Sequence, residues 1–247
     1  MPHIQLSQEV REAVEHGRPV VGLESTIFSH LGLPSPANEE ALTRSLAAIR
    51  EQRAVPAVTA IIDGVPRVGL EAHEHERILG PARKTAERDV TVAIAQRWPV
   101  GATTVSASLS LCAAAGISVF ATGGIGGVHL GSEETGDISA DLGAIALHPV
   151  LTVCAGAKAF LDIPKTLEFL DTESVPVLGF QTEDFPMFYS RSSGSKVPVR
   201  VESPAEVAAI VAERLVWDQG GVLLAVPVPE ADAIPAAEIQ GAIETAL

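Results

Sequence analysis

Short apolar runs alternate with helical stretches along the whole chain, and this alternation constrains the fold more than any other feature. The runs are Val20-Val21-Gly22-Leu23, Ala57 to Ile62, Ser118-Val119-Phe120-Ala121, Leu151-Thr152-Val153-Cys154, Pro176 to Phe180 and Val222 to Val226. Several are apolar at consecutive rather than alternate positions, the pattern of strands buried on both faces. Helices are predicted between them. One covers 38–52, with Asn38 as its N-cap and Leu42, Leu46 and Ile49 on one face. A second, 105–115, stops before Gly116. A third, 204–217, follows Ser203-Pro204, a capping residue and then proline at the first helical position. Asp63-Gly64 predicts a hairpin turn into Val65 to Leu70. Together these predict an α/β fold, a three-layer α/β/α sandwich with one central, mostly parallel sheet. No repeat, low-complexity tract or linker interrupts the 247 residues, so a single domain over residues 1–247 is expected. Ligands of such folds bind in loops beyond the carboxyl ends of the strands.

Charge narrows the partners. Lys and Arg number 17 against 31 Asp and Glu, a net charge of −14. Such a field repels nucleic-acid backbones, while a few local cations can still hold a small phosphorylated substrate. The two cysteines, Cys112 and Cys154, lie in apolar stretches without metal-ligand spacing and read as buried thiols in a reducing compartment. The N-terminus lacks the basic and apolar regions of a signal peptide, and no apolar run is long enough to span a bilayer. A cytoplasmic protein without membrane partners is expected.

Chemistry-bearing residues gather at the element boundaries. Thr122-Gly123-Gly124-Ile125-Gly126-Gly127-Val128-His129 follows a strand, and its glycines let backbone turn sharply and approach a ligand closely. It is neither a Walker loop nor a dinucleotide fingerprint. A purely structural turn is the alternative, and His129 by itself reads equally as an ordinary histidine. Asp137-Ile138-Ser139-Ala140-Asp141 offers oxygen ligands to a hard cation or to sugar hydroxyls, or else caps a helix. Lys158 ends Ala155-Gly156-Ala157-Lys158 at a strand terminus. Desolvation there would lower its pKa and free the amine to attack a carbonyl, whereas a lysine with an exposed head would do neither. Glu24, in Glu24-Ser25-Thr26, also ends a strand and suits a general acid. Arg83, Lys84 and Arg88 form a basic patch that fits a phosphate or a solvated helix face.

These segments resemble the pseudouridine-5′-phosphate glycosidase family, which includes indigoidine-cluster homologues. The resemblance runs from about residue 20 to about residue 235. It is carried by Gly22-Leu23-Glu24-Ser25-Thr26, Gly101-Ala102-Thr103-Thr104-Val105, Phe120 through His129, Asp137 through Leu142, Val153 through Lys158, and Gly179-Phe180-Gln181-Thr182. It implies that Lys158 is a Schiff-base nucleophile and Glu24 a proton donor. Lys84, Val105, Thr122, Ser139, Ala140 and Asp141 become substrate contacts, and His129 approaches the nucleobase. Asp137 becomes the ligand of one divalent metal, Mn²⁺. The resemblance also implies a homotrimer. Three positions depart from the family: Leu130 replaces Arg, Gly136 replaces Phe, and Val226 replaces Asn before proline. The family's usual C-terminal extension is also expected to be missing.

The chemistry gives a reason for the lysine. A C–C glycosidic bond has no leaving-group oxygen to protonate, so the two-carboxylate scheme stalls. If Lys158 captures C1′ of a ring-opened ribose as an iminium, that cation is the electron sink, and Glu24 can protonate the base carbon. Three functions follow: cleavage of pseudouridine 5′-phosphate to uracil and ribose 5-phosphate, C-ribosyl synthesis on an aromatic aglycone in secondary metabolism, or an inactive homologue with a binding or regulatory role.

Overall fold

Each strand and helix expected above is present, with small differences at the ends, in the computed structural model, which describes residues 3–246. Contacts divide the chain into two units between Ala121 and Thr122.

The first unit runs β1 (Gln5–Leu6), α1 (Gln8–Glu15), β2 (Val20–Leu23), α2 (Ala37–Glu51), β3 (Val55–Ile62), β4 (Val65–Val68), α3 (Ala72–Leu79), β5 (Arg83–Thr85), α4 (Glu87–Ala95), β6 (Val100–Thr103), α5 (Val105–Ala114) and β7 (Val119–Ala121). All eight residues of β3 are buried, as its unbroken apolar run requires. Its first half pairs in parallel with β2, from Val20↔Val55 to Leu23↔Val58. Its second half is antiparallel to β4 on one side and to β6 on the other. β1 joins β4, β7 joins β2 and β5 joins β6, all in parallel. One face of β3 presents Val58, Ala60 and Ile62 to a cluster with Leu42, Phe28 and Ile78. Alternation turns Thr59 to the opposite face. The Asp63-Gly64 turn is as expected: both residues are left-handed, at φ 53° and 77°, as a two-residue hairpin needs.

Asn38 corrects the sequence reading. Helix α2 starts at Ala37 with Pro36 at the cap, and Asn38 lies inside the first turn. Its Nδ2 donates to Phe28 O at 3.0 Å and to Leu79 O at 3.3 Å. A turn carbonyl and the last carbonyl of a helix, Phe28 O and Leu79 O, need a donor, and that need outweighs capping.

The second unit runs α6 (Ser132–Thr135), α7 (Ala140–Leu147), β8 (Leu151–Cys154), α8 (Ile163–Thr172), β9 (Val177–Phe180), β10 (Val199–Val201), α9 (Pro204–Val216), β11 (Val222–Ala225), a 3₁₀ turn at Glu230–Asp232 and α10 (Ala236–Ala246). Its strands are all parallel, in the order β8-β11-β9-β10. Leu151, Leu178, Val201, Val207, Val222 and Leu224 form the core beside them. Ser203 caps α9 by accepting from Glu206 N–H at 3.2 Å, with Pro204 next, as expected. Both cysteines are buried, and burial pushes each thiol up to about 12. Among the described residues no helix is long and apolar enough to cross a membrane.

Candidate active site

In the second unit the glycine loop is laced to the loop that carries Lys158. Thr122 N–H donates to Val153 O, Ala155 N–H to Gly123 O, Ile125 N–H to Gly156 O and Lys158 N–H to Ile125 O, at 2.9 to 3.1 Å. The backbone on either side of Lys158 is therefore held by the ladder that follows β8. A carboxylate and a hydroxyl brace the other edge of the glycine loop. Asp141, 5% exposed, accepts from Gly126 N–H at 2.9 Å. Thr166 Oγ1 accepts from Val128 N–H at 3.0 Å and donates to Asp162 O at 2.7 Å.

The glycines are required by close approach. A Cβ on Gly124 would lie 2.2 Å from a ring carbon of Phe188, and one on Gly126 would lie 2.2 Å from Ser139 Oγ. Phe188 is itself left-handed, at φ 53°, an uncommon state for a bulky residue and one that collects at functional sites. Its N–H donates to Ala155 O at 3.0 Å, and its ring meets Tyr189 edge-on at 4.4 Å.

Half-buried Lys158 lines a cavity of about 570 Å³ with Phe160, Phe188, Tyr189, Ile239 and Ile243. Helix α10 supplies the two isoleucines. The glycine loop backs Phe188 and pairs with the Lys158 backbone. Lys165, the neighbouring amine, is placed differently. It is exposed and bonded to Glu133 at 2.8 Å and to Asp162 at 3.1 Å, and these contacts hold its pKa above the usual lysine value.

His129 and Asp137 come together at one end of this loop. His129 N–H donates to Asp137 O at 3.0 Å, and Nδ1 lies 3.7 Å from Asp137 Oδ2. The His129 ring also lies 5.9 Å from that of Phe160. Asp137 is exposed. The next residues form a helix start, so both readings of Asp137-Ile138-Ser139-Ala140-Asp141 have a place. Ser139 caps α7 by accepting from Asp141 N–H at 3.3 Å, Ala140 is exposed, and Asp141 faces inward to Gly126. Among the described residues no three His, Cys, Asp or Glu side chains gather around a metal position. The protein would offer the Asp137 carboxylate, a hard oxygen donor, to a cation that fills its shell with water and substrate oxygens. That chemistry fits Mn²⁺ or Mg²⁺.

In the first unit Glu24 follows β2 and is 8% exposed. Ser25 and Thr26, next in sequence, are fastened to Thr103 at the end of β6. Their N–H groups donate to Thr103 O at 3.3 and 3.1 Å, and Thr26 Oγ1 donates to the same oxygen at 2.8 Å. Lys84 lies opposite Ala102 on β5, a strand rather than a helix face, and is exposed. Arg83 stacks on Trp98 at 4.0 Å, and Arg88 pairs with Asp89 at 3.5 Å. Val105 opens α5 and is 1% exposed. Sequence reasoning missed Phe160, Phe188 and Tyr189. The signal for Phe188 lay in Gly124, whose missing Cβ makes room for an aromatic ring from elsewhere.

Comparisons with known proteins agree with these motifs. The family model described as indigoidine synthase A like protein matches residues 9–247. A pseudouridine-5′-phosphate glycosidase of Sorangium cellulosum is 50% identical, across 99% of this chain and 78% of its own length. One of Caldanaerobacter subterraneus subsp. tengcongensis is also 50% identical, across 99% of this chain and 80% of its own. The solved prealnumycin C-glycosynthase AlnA, in complex with ribulose 5-phosphate, superposes with a TM-score of 0.92 at 34% identity, over 100% of this chain and 80% of that one. An indigoidine synthase A-like protein of Thermotoga maritima superposes with a TM-score of 0.88 at 35% identity, over 99% and 81%. These likenesses bear out the α/β fold class with mostly parallel strands between helices. On the match over residues 9–247 and relatives of 50% identity, the chain belongs to the indigoidine synthase A-like family, which includes pseudouridine-5′-phosphate glycosidases.

Proposed function

We propose that the protein cleaves the C–C glycosidic bond of pseudouridine 5′-phosphate, giving uracil and ribose 5-phosphate. The observation that carries this reading is the 50% identity, over 99% of the chain, to enzymes named for that reaction. The presence of Glu24, Asp137 and Lys158 in the segments that carry the resemblance, and of Lys84 between two of them, supports it.

In this reading the Lys158 amine attacks C1′ and displaces O4′, which takes up a proton as the ring opens. C1′ then carries both base and nitrogen. Glu24 delivers a proton to the base carbon. The nitrogen lone pair closes onto C1′ as an iminium, and the electrons of the broken C–C bond restore the ring double bond of uracil. Water hydrolyses the iminium, returning the amine and releasing ribose 5-phosphate. Lys84 holds the 5′-phosphate or assists ring opening, and Val105, Thr122, Ser139 and Ala140 contact the sugar phosphate. Asp141 serves through the loop it fastens, and His129 faces the base. Asp137 would hold Mn²⁺, which supplies charge neutralisation to substrate oxygens when bound.

A second reading runs the same steps toward synthesis, joining ribose 5-phosphate to an aromatic carbon. The likeness to a C-glycosynthase favours it, as do Leu130, 58% exposed, and left-handed Gly136 beside Asp137. Incubation with pseudouridine 5′-phosphate and Mn²⁺ tests both. Uracil release supports the glycosidase. Consumption of ribose 5-phosphate only with an aromatic acceptor supports the synthase, and neither outcome leaves the inactive homologue. A homotrimer in the cytoplasm completes the proposal. Exposed Leu215, Val216 and Trp217 at the end of α9 support a surface shared with a second copy.

A further inference from the structure

Behind Glu24 lies a polar cluster that the proposed chemistry does not use. Ser25, Thr59, Thr103, Ser106 and Ser108 are all 0% exposed, in a region otherwise built from apolar side chains. Buried hydroxyls cost stability unless they are bonded, so a cluster of this size calls for a purpose. The bonds here have a direction. Ser108 Oγ donates its proton to Thr104 O at 2.7 Å, and Thr103 Oγ1 donates to Thr59 O at 2.7 Å. Thr103 Oγ1 is thereby left as an acceptor for Ser25 Oγ at 3.1 Å, while Ser25 Oγ accepts from Thr103 N–H at 2.9 Å. Thr59 Oγ1 lies 2.8 Å from both Thr103 Oγ1 and Ser108 Oγ.

Thr103 is the hub. Its carbonyl takes the Ser25 and Thr26 N–H groups and the Thr26 hydroxyl, and its N–H and hydroxyl grip Ser25. The residue so fixed on its C-terminal side is Glu24. Thr103 is also paired with Thr85, the residue after Lys84, and Thr104 N–H donates to Thr85 O at 2.9 Å. Val105 starts its helix two residues on. Glu24 after β2, Lys84 on β5 and Val105 after β6 thus each lie within two positions of Thr103 or of a residue it contacts.

We infer that Thr103 is a positioning residue, whose hydroxyl holds the Glu24-Ser25-Thr26 turn so that the Glu24 carboxyl meets the substrate in one orientation. This rests on the reading of Glu24 as proton donor. Thr103→Val keeps the shape and removes the hydroxyl, while Thr103→Ser keeps the hydroxyl. Loss of aim at a general acid costs rate rather than binding, so kcat of Thr103→Val falls about 10- to 100-fold with KM within about twofold. Thr103→Ser restores most of the rate. In a Glu24→Gln background the valine substitution costs nothing more, because the group it aims is gone. Should Thr103→Val fold poorly, Ser25→Ala removes the same grip from the other side.

A readout without turnover separates this inference from the functional reading. ¹³C NMR follows the titration of the Glu24 carboxyl, identified by its loss in Glu24→Gln. Its curve moves in Thr103→Val and returns in Thr103→Ser. An unchanged curve, or equal rate losses from Thr103→Val with and without Glu24, overturns the positioning role whatever the substrate. A wild-type protein that releases no uracil, with the Glu24 curve still moved by Thr103→Val, overturns the glycosidase reading and leaves the positioning intact.

Discussion

Gly126→Ala isolates the fastening of the glycine loop to the helix that follows it. The φ at Gly126 is not left-handed, so any penalty comes from space rather than backbone conformation. A methyl group there would lie 2.2 Å from Ser139 Oγ, 2.6 Å from Ser139 Cβ and 2.9 Å from Asp141 Oδ2. Ser139 is the cap of α7 and cannot retreat without releasing it. The Gly126 N–H to Asp141 bond must lengthen as well, leaving a buried carboxylate short of a donor. Overpacking costs about 1–3 kcal/mol and a bond to a charged group about 1.5–3 kcal/mol. The two share one displacement, so the expected loss is about 2–4 kcal/mol rather than their sum. That corresponds to a fall in Tm of roughly 5–15 °C for a chain of this size. The displacement also reaches Ile125, whose carbonyl holds Lys158 N–H, so turnover should fall by more than stability alone explains. Gly143 is the control. It lies in α7 with nothing within 4 Å of an added Cβ, and Gly143→Ala should stabilise by about 0.5–1 kcal/mol. Urea unfolding and a turnover assay of both variants decide the matter. A Gly126→Ala protein as stable as wild type, or a Gly143→Ala protein equally damaged, would refute the packing argument.

Two further outcomes follow. Burial of His75 in α3 disfavours its charged form and holds its pKa below 6.5, with Glu74 and Glu71 opposing the shift and Arg50 adding to it. The unfolded chain therefore binds more protons between that lowered value and 6.5, and stability rises with pH across this window. Urea midpoints from about pH 5 to about pH 7.5 should show the rise, and His75→Gln should flatten it; an unchanged slope would place its cause elsewhere. Exhaustive chelation should abolish turnover and Mn²⁺ should restore it, with Asp137→Ala insensitive to added metal; full activity after chelation would remove the cation from the proposal.

What the sequence made legible was the set of elements with strong local signals. Consecutive apolar residues marked the central strands, and Ser203-Pro204 and Asp63-Gly64 marked boundaries that fold as those residue pairs dictate. Two of the strands that escaped notice, β5 and β6, lack such signals. Val100-Gly101-Ala102-Thr103 is small rather than β-branched throughout. Its glycine answers to Thr85, whose Oγ1 would lie 2.6 Å from an added Cβ. Arg83-Lys84-Thr85 has two exposed charged residues and reads as polar surface. Both are strands because of pairing with β3 and with each other, which is tertiary information. Of the proposed site, Glu24 and Lys158 stand out in the sequence because each follows a strand-like run. Its support does not. Nothing local distinguishes Thr103 from any other threonine, and Phe188 reaches the glycine loop from far along the chain.

The central claim is that Lys158 bonds covalently to the sugar. The direct measurement is borohydride reduction in the presence of ribose 5-phosphate, followed by proteolysis and mass spectrometry. A reduced pentose-phosphate adduct on the peptide carrying Lys158, absent from Lys158→Ala, is the predicted result. No adduct, an adduct on Lys84 or Lys165 instead, or a Lys158→Ala protein with near-normal turnover would contradict it.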